Sequence, residues 1–236
     1  MIDDILPAHV VAVEAFDDPE AVLLPDEHAV IARASEKRRR EFTTVRHCAR
    51  QALAALGVPA APIMPGERGN PRWPAGVVGS MTHCAGYRAA ALAHAVSTTS
   101  IGIDAEPHLP LPDGVLDMIS DADERRMLTA LHRTRDDLHW DRLLFCAKES
   151  VYKAWFPLTG RWLGFEDAEV AIDGDLPDGD LDTERGDDNE RGTFVARLRA
   201  DGPVIDGVRL TEFTGRWLIR ANLITTAIVV DASRDG

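Results

Sequence analysis

Apolar and polar residues alternate through Ser100–Glu106, SIGIDAE, with Ile101, Ile103 and Ala105 on one side and Asp104 and Glu106 on the other. A period of two predicts a strand, and its polar side carries both carboxylates. About forty residues on, Phe145, Tyr152, Trp155 and Phe156 predict a strongly apolar helix from about Trp140 to Trp155, ending near Pro157. Glu149 and Lys153 stand four apart in it with no Gly or Pro between them, so they share a face about one turn apart. Taken singly, such a pair reads as an exposed helix contact, and Asp-x-Glu reads as a solvated strand end. The apolar surroundings of the helix argue against a simple solvent face. If the helix reaches the strand, three carboxylates meet with Lys148 and Lys153 close by. That set suits a hard divalent cation holding a polyphosphate, because oxygen ligands favour Mg²⁺ and ammonium groups offset phosphate charge.

The rest of the chain supplies the frame. VVAVEAF reads as a strand, and residues from about Asp26 onward read as helical, with a strong run from Lys37 to Leu56 that stops at Gly57-Val58-Pro59. Phe42, Val45, Ala49, Leu53 and Leu56 give its apolar seam. Arg38 and Arg46 flank Phe42 by four residues, which places two guanidinium groups beside the buried edge or on a basic solvated face. Pro62–Pro74 reads as a Gly- and Pro-rich turn with Arg68 at its tip. VVGSMTH and YRAAALAHA read as neighbouring strands around a Cys-Ala-Gly turn, with His83 ending the first. The prolines of PHLPLPDG mark a boundary between residues 1–108 and 109–236. VLDMISDADERRMLTALH reads as helical, with Ser120 as a cap and Glu124 in the first turn. WLGFEDAEVAI reads as a strand, and GTFVARLRA, TEFTGRWLIRANL and TTAIVVDA as closing strands. Between them, Asp173–Gly192 is acidic and aperiodic, which predicts a mobile loop without the regular EF-hand pattern.

Composition narrows the class. With 236 residues and 45% hydrophobic content, the chain can bury a real core in one domain or two small ones. MIDDILPAHV lacks the pattern of a secretory signal, and no apolar run approaches a membrane span, so a soluble cytoplasmic protein is expected. Cys48, Cys84 and Cys146 are odd in number and lack metal-like spacing, which predicts buried, reduced thiols. A net charge of -13 argues against general nucleic-acid binding, though a few local cations with a metal can still hold a nucleotide.

GIDAE followed by AKESVYKAW resembles the signature pair of the 4'-phosphopantetheinyl transferases, in the longer monomeric Sfp/EntD-type branch and its actinobacterial members. The likeness extends through RRREF, VRHCARQALAALG, GSMTHCAGY and LLFCAKESVYKAWFPLTGRWLGFEDA. It implies an α/β (α+β) fold of two similar subdomains related by a pseudo-twofold axis, with the active site in the cleft between them. It also implies transfer of the phosphopantetheinyl arm of coenzyme A to a serine of an apo acyl or peptidyl carrier protein, releasing adenosine 3',5'-bisphosphate. Such carriers serve fatty-acid, polyketide, nonribosomal peptide and siderophore synthesis.

Matched motif by motif, Asp104, Glu106 and Glu149 become Mg²⁺ ligands and Lys153 a pyrophosphate contact assisted by Lys148. The Thr82-His83 pair with Arg38, Arg46 and Arg68 takes the nucleotide phosphates, and Tyr152, Trp162 and Leu163 either line the apolar arm or pack the core. Glu149, directly or through a metal-bound water, is the candidate base. Two positions depart from many relatives: Phe145 replaces Trp, and Ala105 replaces a larger residue between the acids. Two rivals remain, a metal-dependent hydrolase of a nucleotide pyrophosphate such as coenzyme A, and a non-catalytic carrier-protein or nucleotide-binding module.

Overall fold

The structure, a computed structural model, describes residues 1–173 and 190–232. Its first half holds β1 (Val11–Ala15), α1 (Glu36–Ala55), β2 (Met64–Pro65), β3 (Pro71–Arg72), β4 (Val77–Cys84), β5 (Tyr87–His94) and β6 (Thr98–Pro107). Three helices follow, α2 (Val115–Ile119), α3 (Ala122–Thr134) and α4 (Trp140–Thr159). The closing strands are β7 (Ala168–Asp173), β8 (Glu190–Leu198), β9 (Val204–Ile205), β10 (Val208–Arg209), β11 (Glu212–Arg220) and β12 (Leu223–Asp231). Helix and sheet are mixed, as expected for an α/β (α+β) protein. Two antiparallel sheets carry the fold, one in the order β1-β5-β4 and one in the order β6-β12-β11-β8-β7. Helix α1 packs on the first and α4 on β6 and β12 of the second.

The seam predicted for α1 is its buried face: Phe42, Val45, Ala49 and Leu53 are all covered. The strand it lies on is unusual for its alanines. Ala89, Ala91 and Ala93 of β5 join one apolar cluster, while Ala90 and Leu92 join the cluster beneath α1. Alanine is a weak strand former, so burial of both faces and close approach of the covering layers make this a strand.

Strand β6 alternates as its sequence predicts. Ile101, Ile103 and Ala105 enter the core with Tyr87, Leu218 and Ala227. The other side meets α4 at Gly102, where an added Cβ would lie 2.0 Å from the Ser150 carbonyl oxygen and 2.7 Å from the Ala154 nitrogen. Only glycine admits the helix backbone this closely. Two hydroxyls fasten the contact: Ser100 Oγ donates to the Ala154 carbonyl at 2.7 Å, and Thr226 Oγ1 on β12 donates to the Cys146 carbonyl at 3.0 Å.

On its open edge β6 faces β4 without a shared ladder. Side chains bridge the gap instead. The Ile103 N–H donates to Ser80 Oγ and the Ala105 N–H to Thr82 Oγ1, each at 3.1 Å. The two sheets are thus spliced along a seam that leaves room for a cavity.

Several boundaries differ from expectation. Helix α4 runs through Pro157 to Thr159, because a missing N–H in the last turn costs one ladder bond, and left-handed Gly160 (φ 62°) then closes it. The segment after residue 114 is two helices, and Ser120 ends the first of them. Asp121 caps α3: its Oδ1 accepts from the Glu124 N–H at 2.8 Å, and Glu124 Oε2 accepts from the Asp121 N–H at 2.9 Å. Cys84 belongs to β4, so the turn is Ala85-Gly86. Of the predicted acidic loop, Asp173 and Glu190–Gly192 are strand residues and the remainder lies outside the described residues. All three cysteines are buried and free. Among the described residues no helix is long and apolar enough to cross a membrane.

The Gly102 contact gives a direct expectation. Gly102→Ala should destabilise the protein by about 1–3 kcal/mol or more, since the clash is with helix backbone that cannot rotate away. Urea unfolding checks it, and a midpoint equal to wild type would show that α4 does not need this approach.

Candidate active site

The β4–β6 seam and the face of α4 build one polar centre. Asp104, 5% exposed, accepts through Oδ1 from Lys153 Nζ at 2.6 Å and from Thr82 Oγ1 at 3.0 Å. Lys153 also donates to the Ile103 carbonyl at 3.1 Å. Burial works against the Lys153 charge, but Asp104 and then Glu149 outweigh it and hold the ammonium pKa above the ordinary lysine value. Asp104 Oδ2 is buried and has no hydrogen-bond partner among the described residues. An unsatisfied carboxylate oxygen is costly, which marks it as a place where a ligand belongs.

Two further acids feel the Asp104 charge. Glu149 makes no hydrogen bond or ion pair with the described residues, and burial followed by repulsion from Asp104 pushes its carboxyl up, against the pull of Lys153. Glu106 is raised by the same two causes, but Arg142 Nη1 donates to its Oε2 at 3.0 Å and opposes the rise. All the available donors are hard oxygens, with one of them orphaned and two acids held above their ordinary range by excess negative charge. That chemistry fits a divalent cation of the Mg²⁺ type. The fit is open rather than closed: among the described residues no three acidic, His or Cys side chains are gathered at ligand spacing.

Beside Asp104, Glu149 and Lys153 opens a cavity of about 790 Å³. One part of its wall is cationic, with Arg33, Arg38, Arg46 and Arg68, and another is apolar, with Ile101, Tyr152, Phe156 and Pro157. His83 Nε2 lies 2.6 Å from Arg38 Nη1. A guanidinium only donates, so Nε2 accepts and the ring proton sits on Nδ1, which faces Glu41 Oε2 at 3.7 Å. Burial, helped by the charges of Arg38 and Lys153, lowers the His83 pKa, so the ring is neutral at neutral pH. An adjoining groove of about 460 Å³ shares Arg38 and His83 and adds Glu41 and Glu106.

The structure gathers Arg38, Arg68, Thr82, His83, Asp104, Glu149, Tyr152 and Lys153 on one cavity, with Glu106 on the adjoining groove, but it redirects others. Lys148 does not reach the cleft. Its ammonium lies 2.8 Å from Glu124 Oε1 and donates to the Phe165 and Ala168 carbonyls at 2.7 and 3.1 Å, which uses all three donors in the core. Leu163 is packed in the core cluster beneath α4 and does not line the cavity. Trp162 is 64% exposed at the edge, its ring 5.1 Å from that of Tyr152 and 5.9 Å from the Arg68 guanidinium. Arg46 touches the cavity wall but is spent on structure, donating to the Ile63 carbonyl at 2.9 Å and lying over the Phe42 ring. Its partner Glu27 is fully buried and also accepts from Arg50 and the Ile63 N–H.

Sequence reasoning missed Arg33 and Arg142 at the site, and in the framework it missed the burial of Glu27 and the pairing of Glu124 with Lys148. For Arg142 a signal existed, since it stands seven and eleven residues before Glu149 and Lys153 on one helix stripe.

Comparison with known proteins agrees with the geometry. Residues 26–93 match the family model described as 4'-phosphopantetheinyl transferase N-terminal domain, and residues 100–178 match that of the 4'-phosphopantetheinyl transferase superfamily. The chain is 53% identical over 236 residues to 4'-phosphopantetheinyl transferase Svp of Streptomyces mobaraensis, spanning 98% of this chain and 90% of the relative. It is 49% identical to 4'-phosphopantetheinyl transferase PptT of Mycobacterium tuberculosis over 98% of each. Its similarity to Enterobactin synthase component D of Salmonella typhi is 35% over 69% of this chain and 67% of the relative.

The buried placement of Lys148 is testable through stability. Lys148→Met should cost about 3–5 kcal/mol by stranding the Glu124 charge, and adding Glu124→Leu should recover part of the loss. Chemical denaturation of the three proteins decides; a Lys148→Met variant as stable as wild type would contradict the pairing.

Proposed function

The chain belongs to the 4'-phosphopantetheinyl transferase superfamily, and on that premise we propose how its cleft performs the reaction. The enzyme transfers the 4'-phosphopantetheine arm of coenzyme A to a serine of an apo carrier protein. Hydrolysis of coenzyme A, the rival reaction, finds no support among the relatives. The observation that carries the mechanistic reading is the buried Asp104, held through one oxygen by Lys153 and Thr82 and orphaned at the other, on the wall of a cavity with cationic and apolar parts.

In this reading the phosphates of coenzyme A lie against Arg38, Arg68 and His83, and the apolar arm runs along Tyr152 and Phe156 with Trp162 at the edge. Neutral His83 accepts from Arg38 through Nε2 and so orients that guanidinium, and the guanidinium groups supply the donors and the positive field. Asp104, Glu106 and Glu149 would hold Mg²⁺, which when bound offsets the pyrophosphate charge and polarises the attacked phosphorus. The serine oxygen forms a bond to that phosphorus as the bond to the adenosine 3',5'-bisphosphate oxygen breaks. Lys153, a cation kept charged by Asp104, steadies the charge that collects on the departing oxygen. The serine proton passes to Glu149, directly or across a water. A carboxylate that holds the metal is a weaker base, and transfer across a water reconciles the two roles of Glu149.

We place the enzyme in the cytoplasm as a monomer, with carriers of siderophore, polyketide or nonribosomal peptide synthesis as partners and no nucleic acid. Similarity to Enterobactin synthase component D supports the first of these pathways. We also retain a division near residue 108 into two subdomains with pseudo-twofold symmetry, with β6 lending its ladder to β12 across the division.

Intact-protein mass spectrometry of an apo carrier with coenzyme A and Mg²⁺, beside a chelated control, tests the reaction. A gain of one phosphopantetheinyl group that the chelator abolishes is expected; a full gain under chelation would remove the metal from the mechanism. Glu149→Gln should lower kcat by about 10²–10⁴-fold while leaving coenzyme A affinity nearly unchanged. Wild-type turnover by that variant would exclude Glu149 as the base.

A further inference from the structure

Each acid of β6 has a cation from α4. Lys153 takes Asp104 through Oδ1, and Arg142, on the first turn of the same helix, takes Glu106 through Oε2 at 3.0 Å. Seven residues separate Arg142 from Glu149 and eleven separate it from Lys153, about two and three helical turns, so the three side chains form one stripe facing the acidic strand. The remaining donors of Arg142 are spent on the loop that follows β6. Nε donates to the Leu109 carbonyl at 3.0 Å and Nη2 to the Pro110 carbonyl at 2.7 Å. The side chain is 16% exposed. With its fork committed on two sides, the guanidinium is a fixed object rather than a surface charge.

We propose that Arg142 is a positioning residue that sets the orientation of Glu106 and thereby the affinity of the Asp104–Glu106 pair for a divalent cation. The inference rests on the reading of these acids as metal ligands given above. Its physical basis is that a glutamate side chain has several rotatable bonds, and one pinned by Oε2 presents Oε1 in a single direction at little further entropic cost. Glu106 Oε1 makes no hydrogen bond to the described residues, and Asp104 Oδ2 makes none either. The two cations thus leave one oxygen of each acid for a ligand. Groups behind metal ligands that fix them in this way commonly change affinity by about 10–100-fold when removed.

A plain charge effect would act in the opposite direction. A cation near the site repels a second cation, so removal of Arg142 would then tighten metal binding. The two accounts differ in sign, and the positioning account also separates Glu106 from the loop. Asp141 provides the control, because its Oδ2 accepts from the Leu111 N–H at 2.8 Å and so ties the same loop without touching Glu106.

The test is a Mn²⁺ titration of the full chain with coenzyme A present, following the EPR signal of free Mn²⁺, with circular dichroism establishing that each variant is folded. Arg142→Met should weaken Mn²⁺ binding about tenfold. Arg142→Lys, which keeps the charge but cannot serve Glu106 and two carbonyls together, should weaken it about threefold. Asp141→Ala should remain within about twofold of wild type, as a contact outside the ligand network. Unchanged or tighter Mn²⁺ binding in both Arg142 variants would overturn the proposal, as would an equal loss in Asp141→Ala. If Arg142→Met does not fold, the Arg142→Lys value alone decides. Absence of Mn²⁺ binding in wild type would overturn the metal-site reading itself, whereas binding that is indifferent to Arg142 overturns only this inference.

Discussion

The close approach of α4 to β6 at Gly102 is the contact on which the rest of the structure depends. A helix normally stands off a strand by the thickness of a side-chain layer, and here that layer is absent at one point. Ser100 and Thr226 bind helix carbonyls on either side of the contact, so the helix is fixed in height and in rotation. Glu149 and Lys153 therefore arrive at Asp104 with no slack, and the ammonium comes within 2.6 Å of the carboxylate. A Cβ at residue 102 would push this whole stripe away from the acidic strand.

Electrostatics then follows from placement. Among the described residues Lys153 pairs with Asp104 and Arg142 with Glu106, while Glu149 has no ion pair and Asp104 Oδ2 no hydrogen bond. In a fold selected for stability alone this would be an unbalanced cost. In the proposed site for a cation and a pyrophosphate it would be a prepared deficit. Elsewhere the same fold balances its buried charges: Glu27 with Arg46 and Arg50, and Glu124 with Lys148, are each saturated by cations and backbone donors. The contrast between saturated and unsaturated acids separates framework from site more clearly than burial does.

Much of this arrangement was legible in the residues. Alternation in SIGIDAE gave the strand and its acidic side, and the spacing of Glu149 and Lys153 gave the helix face. Lys148 was misread for want of one further step. It lies on the stripe of Leu144, Val151 and Trp155, all buried, about 100° around the helix from Glu149, so periodicity already directed it into the core. Asp121 and Glu124 likewise formed a capping box one residue past Ser120. Other features had no local signal. That Gly102 is there to admit a helix fifty residues away, that Thr82 hydrogen-bonds Asp104 across the seam, and that Arg46 turns inward to Glu27 are tertiary facts. Leu163 and Trp162 are adjacent in sequence yet one is core and the other exposed, which only the turn after Gly160 decides.

The central claim is that transfer depends on the Asp104 carboxylate as α4 and Thr82 hold it. The most direct measurement is the rate of carrier modification by Asp104→Asn, a change that keeps shape and removes charge. The account predicts a loss of about a hundredfold or more in kcat, with the fold and coenzyme A binding retained. A variant that modifies the carrier at the wild-type rate would contradict it.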